Sequence, residues 1–171
     1  MSCSPILAWK SLICLSSSSI LFCAWISSSP PRPLAPSSIP SAIFTDPEVA
    51  TVGLTEKEVR EKALPVLIGR FPFAASGRAL AAGEPDGYVK VIADKETKKI
   101  LGAGIVGPEA SDLISEAALA VRLGATLGDI ASTVHPHPTL PEAFHEACEA
   151  AMGQAIHVLA PRSQTAQGVR S

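Results

Sequence analysis

Hydrophobic and polar positions alternate clearly in the middle of the chain and predict a β-hairpin followed by a helix. Residues 87–107 read GYVKVIADKETKKILGAGIVG, in which two β-rich stretches flank a polar run at residues 95–98. That order is typical of a hairpin whose return strand covers residues 100–106. A stripe with helical spacing follows, and Gly124 stands where the helix would end. The apolar positions of this stripe are Ala110, Leu113, Ile114, Ala117, Ala118 and Val121.

The part of the chain before the hairpin predicts extended pieces, a short helix, a strand and a connection of small residues. These segments are residues 42–53, 55–64, 66–73 and 74–83, respectively. The first segment should break at Asp46, because the residue before a proline avoids the helical region of backbone space. Thr55 and Glu58 have the spacing of a capping box, in which each side chain bonds the backbone N–H of the other at the start of a helix.

Two more helices are predicted after the long one. Thr126 and Asp129 open a short helix that runs to about residue 134, and Thr139 and Glu142 open a last helix that runs to about residue 153. Strands therefore come first along the chain, and helices cluster late. This order favours an α+β fold with a mostly antiparallel sheet backed by helices.

Composition divides the chain into a leader, a domain and a tail. Residues 1–40 contain no acidic residue and are rich in serine and proline, and the charged fraction of the whole 171-residue chain is 18%. Soluble domains average about 25%. We expect a low-complexity, disordered leader in residues 1–40, a domain in residues 41–157 and a flexible tail in residues 158–171. An export signal in residues 11–26 is the alternative, but four serines interrupt it, and no stable membrane anchor is expected.

Charge and cysteine spacing exclude several classes of function. Lys and Arg number 14 and Asp and Glu 16, giving a net charge of −2 without the basic excess of a nucleic-acid-binding protein. The cysteines include none of the close pairs that zinc sites use, and we expect Cys148 to be a small core residue. Nothing in residues 41–157 requires an oxidising compartment, so we expect a cytoplasmic protein. The cysteines are Cys3, Cys14, Cys23 and Cys148.

Residues 102–107 match GxGxxG, a pattern found where dinucleotides bind. That function needs a strand, a tight glycine turn and then a helix whose N-terminus faces the pyrophosphate. Here the three glycines fall inside the predicted return strand of a hairpin. We therefore expect them to allow close backbone approach within the sheet rather than to bind a nucleotide.

The segment HPHPTLPE at residues 135–142 contains the chain's closest grouping of side chains able to bind a metal or transfer a proton. Its prolines keep His135 and His137 out of a helix, and Glu142 falls in the first turn of the helix that follows. Three interpretations remain open from these residues alone. The segment could hold a metal together with His145 or Glu142, it could be a helix cap with incidental histidines, or Glu142 could orient a histidine for acid/base chemistry.

Taken together, four stretches resemble the C-terminal dimerisation domain of the pyridine nucleotide–disulfide oxidoreductases, and its dihydrolipoamide dehydrogenase members above all. These stretches are SAIFTDPEVATVGLTEKE, FPFAASGRALAAGEPDGYVKVIAD, ILGAGIVGPEASDLISEAALAV and HPHPTLPEAFHEA. The resemblance covers nearly all of residues 41–157 and none of the leader. It implies an α+β domain that forms a homodimer interface.

The resemblance also implies roles for the residues of the HxHPTxxE pattern. In that family the segment reaches into the active site of the partner subunit, beside the flavin and a redox-active cysteine pair. His137 would then be the acid/base histidine, and Glu142 the carboxylate that orients it. His135 would be a supporting residue, and the backbone at His137 and Pro138 would face the flavin of the partner subunit. The family commonly has a small polar residue where this chain has Pro141.

Family members also use an FAD-binding unit, an NAD-binding domain and a CxxxxC pair, and the 171 residues contain no two cysteines with that spacing. We therefore expect no cofactor to be bound by this chain alone, with FAD and NAD belonging to the full-length family. The leading hypothesis is a truncated family member without autonomous activity that acts as a homodimer or with a complementary flavoprotein chain. The alternative is a non-catalytic interaction module that pairs with itself or with a full-length relative.

Overall fold

The computed structural model describes residues 35–157 and shows a five-stranded antiparallel sheet with helices packed against it. The strands are β1 (Ser41–Ile43), β2 (Glu48–Gly53), β3 (Val66–Pro72), β4 (Tyr88–Asp94) and β5 (Ile100–Gly107). The helices are α1 (Glu56–Glu61), α2 (Gly77–Ala82), α3 (Ala110–Leu123), α4 (Leu127–Ala131) and α5 (Glu142–Met152). The sheet order is β1-β2-β5-β4-β3, and neighbouring strands are antiparallel. The predicted α+β class with a mostly antiparallel sheet is confirmed.

Most of the predicted leader and all of the predicted tail lie outside the described residues. Within residues 35–40 the chain forms a short 3-10 turn, Pro36–Ser38, in which Ser38 is buried. None of the helices within residues 35–157 combines the length and the apolar character that crossing a membrane would require.

The predicted hairpin is confirmed as β4 and β5, which pair antiparallel. In β4 the side chains of Val89, Val91 and Ala93 are buried on the face of the sheet where α3 and α5 pack. The carboxylate of Asp94 accepts the backbone N–H of Thr97 at 2.7 Å and closes the turn. The alternation of apolar and polar residues in this hairpin therefore separates a core face from an outer face.

The glycines of the GxGxxG pattern lie within β5, as predicted. Gly102 and Gly104 each pair with β2 on one side and with β4 on the other. A Cβ added to Gly102 would lie 2.3 Å from the carbonyl oxygen of Leu54, so only glycine allows this close backbone approach. The main chain of the pattern belongs to the sheet ladder, which leaves it no tight turn for a pyrophosphate.

The connection expected at residues 74–83 contains a helix instead, which corrects that prediction. The Ser76 hydroxyl caps the start of α2 by accepting the backbone N–H of Ala79 at 3.4 Å. Gly83, with φ of +77°, ends the helix in the left-handed conformation that glycine favours. The small residues between Ser76 and Gly83 are compatible with one short helix.

Helix α5 rests directly on β3. Phe144 and Ala147 of this helix are fully buried in the core. At Gly69 of β3, an added Cβ would lie 1.9 Å from the carbonyl oxygen of Ala147, so the helix backbone touches the strand. Because Glu142 is the first residue of α5, this contact determines where the Glu142 carboxylate stands relative to the sheet.

On the outer side of the sheet, one carboxylate links α1 to two strands. Glu56 at the start of α1 forms ion pairs with Arg60 (2.9 Å), Lys90 (3.0 Å) and Arg70. The Glu56 side chain is 17% exposed, so water screens these contacts only in part. Hydrogen bonds from Arg70 and Lys90 lower the pKa of Glu56 to about 2.

This cluster predicts an acid-dependent loss of stability. We expect Glu56→Gln to lower the free energy of unfolding at neutral pH by roughly 1–3 kcal/mol, because the variant leaves Arg70 and Lys90 without their anion. The folded-state pKa is depressed, so the stabilisation is complete above the ordinary carboxyl range and fades as the pH falls toward about 2. Denaturation midpoints of variant and wild type, measured from neutral to acid pH, should therefore converge on acidification.

The matched control for this prediction is Glu61→Gln on the same helix. The Glu61 carboxylate is 62% exposed and lies 3.9 Å from its partner, Lys57. We expect this substitution to change the free energy of unfolding by less than about 0.5 kcal/mol at all pH values. The prediction would be contradicted if the two substitutions changed the free energy of unfolding equally. It would also be contradicted if the difference in that free energy between Glu56→Gln and wild type stayed constant with pH.

Candidate functional site

Residues 132–141 connect α4 to α5 and give the two histidines of the HxH pattern different surroundings. The connection begins earlier than predicted, because the Thr133 hydroxyl donates to the carbonyl oxygen of Asp129 (2.8 Å) where α4 ends. The side chain of His135 is only 7% exposed, whereas that of His137 is 78% exposed. The structure therefore separates the two rings and does not bring them together as a pair.

His137 and Glu142, by contrast, are joined by a hydrogen bond. The ring Nδ1 of His137 lies 2.8 Å from Oε1 of Glu142, and Oε2 of Glu142 accepts the backbone N–H of Thr139 at 2.6 Å. Because a carboxylate only accepts, Nδ1 carries the proton in this pair. Within residues 35–157 no group bonds Nε2 of His137, which lies on the exposed side of the domain.

The surroundings of Glu142 favour its ionised form. Partial burial of the carboxyl group raises its pKa, but the Thr139 N–H, the hydrogen bond from His137 and the positive charges of His137 and His135 outweigh that effect. The pKa of Glu142 is therefore lowered from its ordinary value. An ionised carboxylate at neutral pH holds the His137 ring in one orientation.

The predicted capping box at Thr139 is wrong in one of its two halves. Glu142 does accept the Thr139 N–H, but the Thr139 hydroxyl donates to the carbonyl oxygen of Pro136 (2.6 Å) rather than capping the helix. Helix α5 begins at Glu142, with Pro141 at the N-cap. The carbonyl oxygens of Leu140 and Pro141 accept the N–H groups of Ala143 and Phe144, so the helix begins two residues later than a cap at Thr139 would place it.

His135 is built into a buried cluster behind the exposed pair. Its Nε2 lies 3.0 Å from Oε1 of Glu116 on α3, and its Nδ1 lies 3.0 Å from the carbonyl oxygen of Thr133. The ring stacks on that of His145, with 5.4 Å between ring centroids and 7° between planes. These contacts leave only 7% of the His135 side chain exposed.

Cys148 lies next to this cluster and is a core residue, as predicted. It is fully buried and forms no disulfide. Burial raises the pKa of the thiol, and the nearby charges of Glu116 and Glu149 raise it further. Cys148 therefore stays protonated and is unsuited to act as a nucleophile.

A pocket of about 460 Å³ opens beside the His137–Glu142 pair. It lies between α2, β3, α5 and the residues that follow α5, and its walls include Leu80 and His157. Nδ1 of His157 lies 2.6 Å from Oε1 of Glu146, a carboxylate that is itself buried. This contact ties the end of the described chain to α5 and closes one side of the pocket.

Several of these acidic partners were not predicted from the sequence. Glu149 follows His145 by four residues on α5, at 3.4 Å, and that helical spacing could have indicated the contact. Glu116 lies nineteen residues before His135 and belongs to a helix predicted from its apolar stripe alone. No local pattern connects the two, because the contact arises only when α3 packs beside the connection to α5.

The metal interpretation of the HxH pattern finds no support in the described part of the chain. Within residues 35–157, no three side chains of His, Cys, Asp or Glu are arranged to hold a metal ion. The ring nitrogens of His135 already contact Glu116 and Thr133, and His137 stands apart in an exposed position.

Comparison with known proteins places this chain in a family. Residues 39–148 match the model of the pyridine nucleotide-disulphide oxidoreductase dimerisation domain. The chain is 57% identical over 122 residues to dihydrolipoyl dehydrogenase of Haloferax volcanii, covering 71% of this chain and 26% of that protein. It is 52% identical over 127 residues to dihydrolipoyl dehydrogenase of Bacillus subtilis, covering 74% of this chain and 27% of that protein. The chain thus spans about a quarter of the length of the curated relatives it matches.

Solved structures show the same fold. LpdA from Mycobacterium tuberculosis matches with a TM-score of 0.66 and 27% identity, over 69% of this chain and 26% of that chain. The HOCl-induced flavoprotein disulfide reductase RclA from Escherichia coli matches with a TM-score of 0.62 and 24% identity, over 65% of this chain and 26% of that chain, which is a likeness of fold. The resemblance seen in the sequence is confirmed, and the chain belongs to the pyridine nucleotide-disulphide oxidoreductases, with residues 39–148 forming their dimerisation domain.

Proposed function

We propose that this dimerisation domain supplies His137 and Glu142 as an acid/base pair to a flavin- and dithiol-containing site on a partner subunit, in an oxidoreductase of the dihydrolipoamide dehydrogenase type. Family membership and the names of the curated relatives support the reaction type. The observation that carries the proposal is the 2.8 Å contact between His137 Nδ1 and Glu142 Oε1 on a ring that is 78% exposed. A ring held at one nitrogen and open at the other suits proton exchange with a group outside the domain.

In this proposal His137 moves protons and Glu142 orients the ring. Nε2 takes a proton from a thiol that is being oxidised, which leaves the reactive thiolate, and it returns the proton when the reaction runs in the other direction. The ring then carries a proton on each nitrogen, while Nδ1–H continues to donate to Glu142. The negative charge of Glu142 stabilises the positive ring. A bound flavin and pyridine nucleotide would supply the electron transfer.

The described residues fit one edge of a flavin rather than a complete cofactor. The carbonyl oxygens of His137 and Pro138 accept no hydrogen bond within residues 35–157, and both residues are exposed. Such acceptors suit an N–H donor like the flavin imide. The GxGxxG glycines do not fit a dinucleotide, because sheet pairing occupies their main chain. We therefore assign most of the FAD contacts, and those of NAD, to polypeptide outside this domain.

Dimerisation is part of the proposal, because an exposed acid/base pair needs a surface that completes it. Large apolar side chains are exposed on the same domain, among them Val134 (93%), Phe44 (79%) and Leu123 (60%). Of these side chains, Val134 precedes the HPHP segment directly in the chain and so lies close to the pair. Exposed apolar groups of this kind are typical of protein interfaces.

For the purified 171-residue chain we expect a dimer in light scattering, no flavin absorbance and no NADH-dependent reduction of lipoamide. The physical reason is that the domain offers a proton-exchanging pair and an interface but no complete electron carrier site. A monomer would contradict the proposed dimer. A yellow preparation with lipoamide activity would contradict the assignment of the cofactor sites to other polypeptide.

A non-catalytic interaction module is the second candidate, and the exposed apolar side chains favour it independently of His137. Co-expression with the dihydrolipoyl dehydrogenase of Bacillus subtilis, a relative of 52% identity, separates the two candidates. If the pair is catalytic, mixed dimers that contain a His137→Gln chain should lose activity relative to mixed dimers with the unchanged chain. Equal activity of the two mixed dimers would favour the interaction module.

A further inference from the structure

Helix α3 directs one carboxylate toward the histidine segment, and we propose that Glu116 is a positioning residue for His137 that acts through a partly buried hydrogen bond with His135. The inference rests on the proposed function, in which His137 exchanges protons, and adds to it the residue that holds His137 in place. Glu116 itself does not contact His137. Its partner, His135, lies two positions earlier in the chain and is held 3.0 Å from the carboxylate.

Two contacts hold the His135 ring. Nε2 faces the carboxylate of Glu116 and Nδ1 faces the carbonyl oxygen of Thr133, each at 3.0 Å. Both partners are acceptors, so each contact forms when the facing ring nitrogen carries a proton. Only 7% of the His135 side chain is exposed, so water competes little with these contacts. A hydrogen bond to a carboxylate fixes the ring more firmly than a hydrogen bond to a neutral acceptor.

Three helices hold the segment that carries His137, each by a different contact. Thr133 bonds the Asp129 carbonyl oxygen at the end of α4, and His137 itself bonds Glu142 at the start of α5. Within residues 35–157, the His135–Glu116 contact is the only hydrogen bond between residues 133–138 and α3. Removing Glu116 therefore frees the segment from one of its three supports.

Two features transmit this support from His135 to His137. Prolines stand on both sides of His137 and restrict the backbone, so a fixed His135 limits the positions that His137 can take. The His135 ring also stacks flat on His145, at 5.4 Å and 7°, which opposes its rotation. The other titratable groups near the stack are Glu149 and the protonated Cys148 thiol.

Ring-nitrogen NMR of the isotopically labelled 171-residue chain tests this proposal without relying on catalysis. At about pH 8, where most imidazoles are neutral, the Glu142 contact should keep His137 in the tautomer with the proton on Nδ1. In Glu116→Gln we expect the ratio of Nδ1–H to Nε2–H tautomers of His137 to fall about fivefold, the change produced by a loss of about 1 kcal/mol of hydrogen-bond energy. Asp112→Asn is the control, since Asp112 is an exposed residue of the same helix without a side-chain hydrogen bond within the described residues, and it should leave the ratio unchanged.

An unchanged tautomer ratio in a folded Glu116→Gln chain would overturn the proposal. If that variant does not fold, as judged from its amide spectrum, His135→Asn removes the same contact from the other side and should give the same fall in the tautomer ratio. An unchanged ratio in His135→Asn would overturn the proposal equally. The proposed function has a separate test, because Glu142→Gln replaces the anion with a weaker, neutral acceptor and should reduce the Nδ1 preference and lower mixed-dimer activity whether or not Glu116 has a positioning role.

Discussion

Replacing His137 with glutamine is expected to lower lipoamide reduction by about 10²–10⁴-fold, the contribution that a general acid/base residue makes. The setting is a chimera in which this domain replaces the matching region of the Haloferax volcanii dihydrolipoyl dehydrogenase, to which it is 57% identical. Glutamine can still bond Glu142 through its amide, but it cannot take up or release a proton near neutral pH. The measurement is kcat with NADH and lipoamide, relative to the chimera with the unchanged domain.

The control for this experiment is His157→Gln, the same chemical change at a histidine bound to Glu146 rather than to Glu142. We expect its kcat to stay within about threefold of the unchanged chimera, since the substitution leaves the acid/base pair intact. Glu142→Gln should fall between the two, because Nε2 of His137 remains but loses its orienting anion. If His137→Gln retained the kcat of the control, the acid/base role would be excluded.

Gly69→Ala is expected to destabilise the domain strongly. The new Cβ would lie 1.9 Å from the carbonyl oxygen of Ala147 and 2.5 Å from the backbone nitrogen of Ala151, so helix α5 would have to move away from β3. We expect the free energy of unfolding to fall by about 3 kcal/mol or more and the Tm to fall by roughly 10–20 °C. Thermal unfolding followed by circular dichroism measures both.

Gly104→Ala provides the matched comparison within the same sheet. Its Cβ would lie 3.8 Å from Cγ2 of Thr51 and 3.9 Å from Cε of Lys90, which are ordinary contacts. We expect this substitution to change the free energy of unfolding by at most about 1 kcal/mol. Similar melting temperatures for the two variants would show that α5 can shift without cost. In that case the helix would not fix the position of Glu142.

Local signals account for the parts of the fold that could be predicted from the sequence. The hairpin, the long helix α3 and the break at Asp46 each depend on neighbours within a few residues, and the structure confirms them. Helix α2 was missed because its residues are small and its cap, Ser76, has no acidic partner three positions later. The capping box at Thr139 is only half formed, because the Thr139 hydroxyl donates to the Pro136 carbonyl oxygen and the N-cap of α5 is Pro141.

The candidate site shows the same division between local and distant contacts. His137 and Glu142 stand five residues apart, so the sequence indicated that Glu142 could bond one of the two histidines, and the family resemblance implied that this histidine is His137. Glu116 reaches His135 only through the packing of α3, and Glu146 reaches His157 only because the chain turns back after α5. Periodicity indicates which face of a helix is buried, but it does not indicate which polar side chain meets a given partner across a tertiary contact.

The sheet order also has a consequence for synthesis of the chain. Strand β5 lies between β2 and β4, and its pairing with β4 closes a short hairpin, whereas its pairing with β2 spans roughly fifty residues. A ribosome produces β1 and β2 first, yet the central neighbour of β2 is among the last strands to emerge. The nascent chain therefore carries a β-rich segment with an unpaired strand edge until β5 has been translated. During that interval the unpaired edge can aggregate, so chaperone binding would be most useful then.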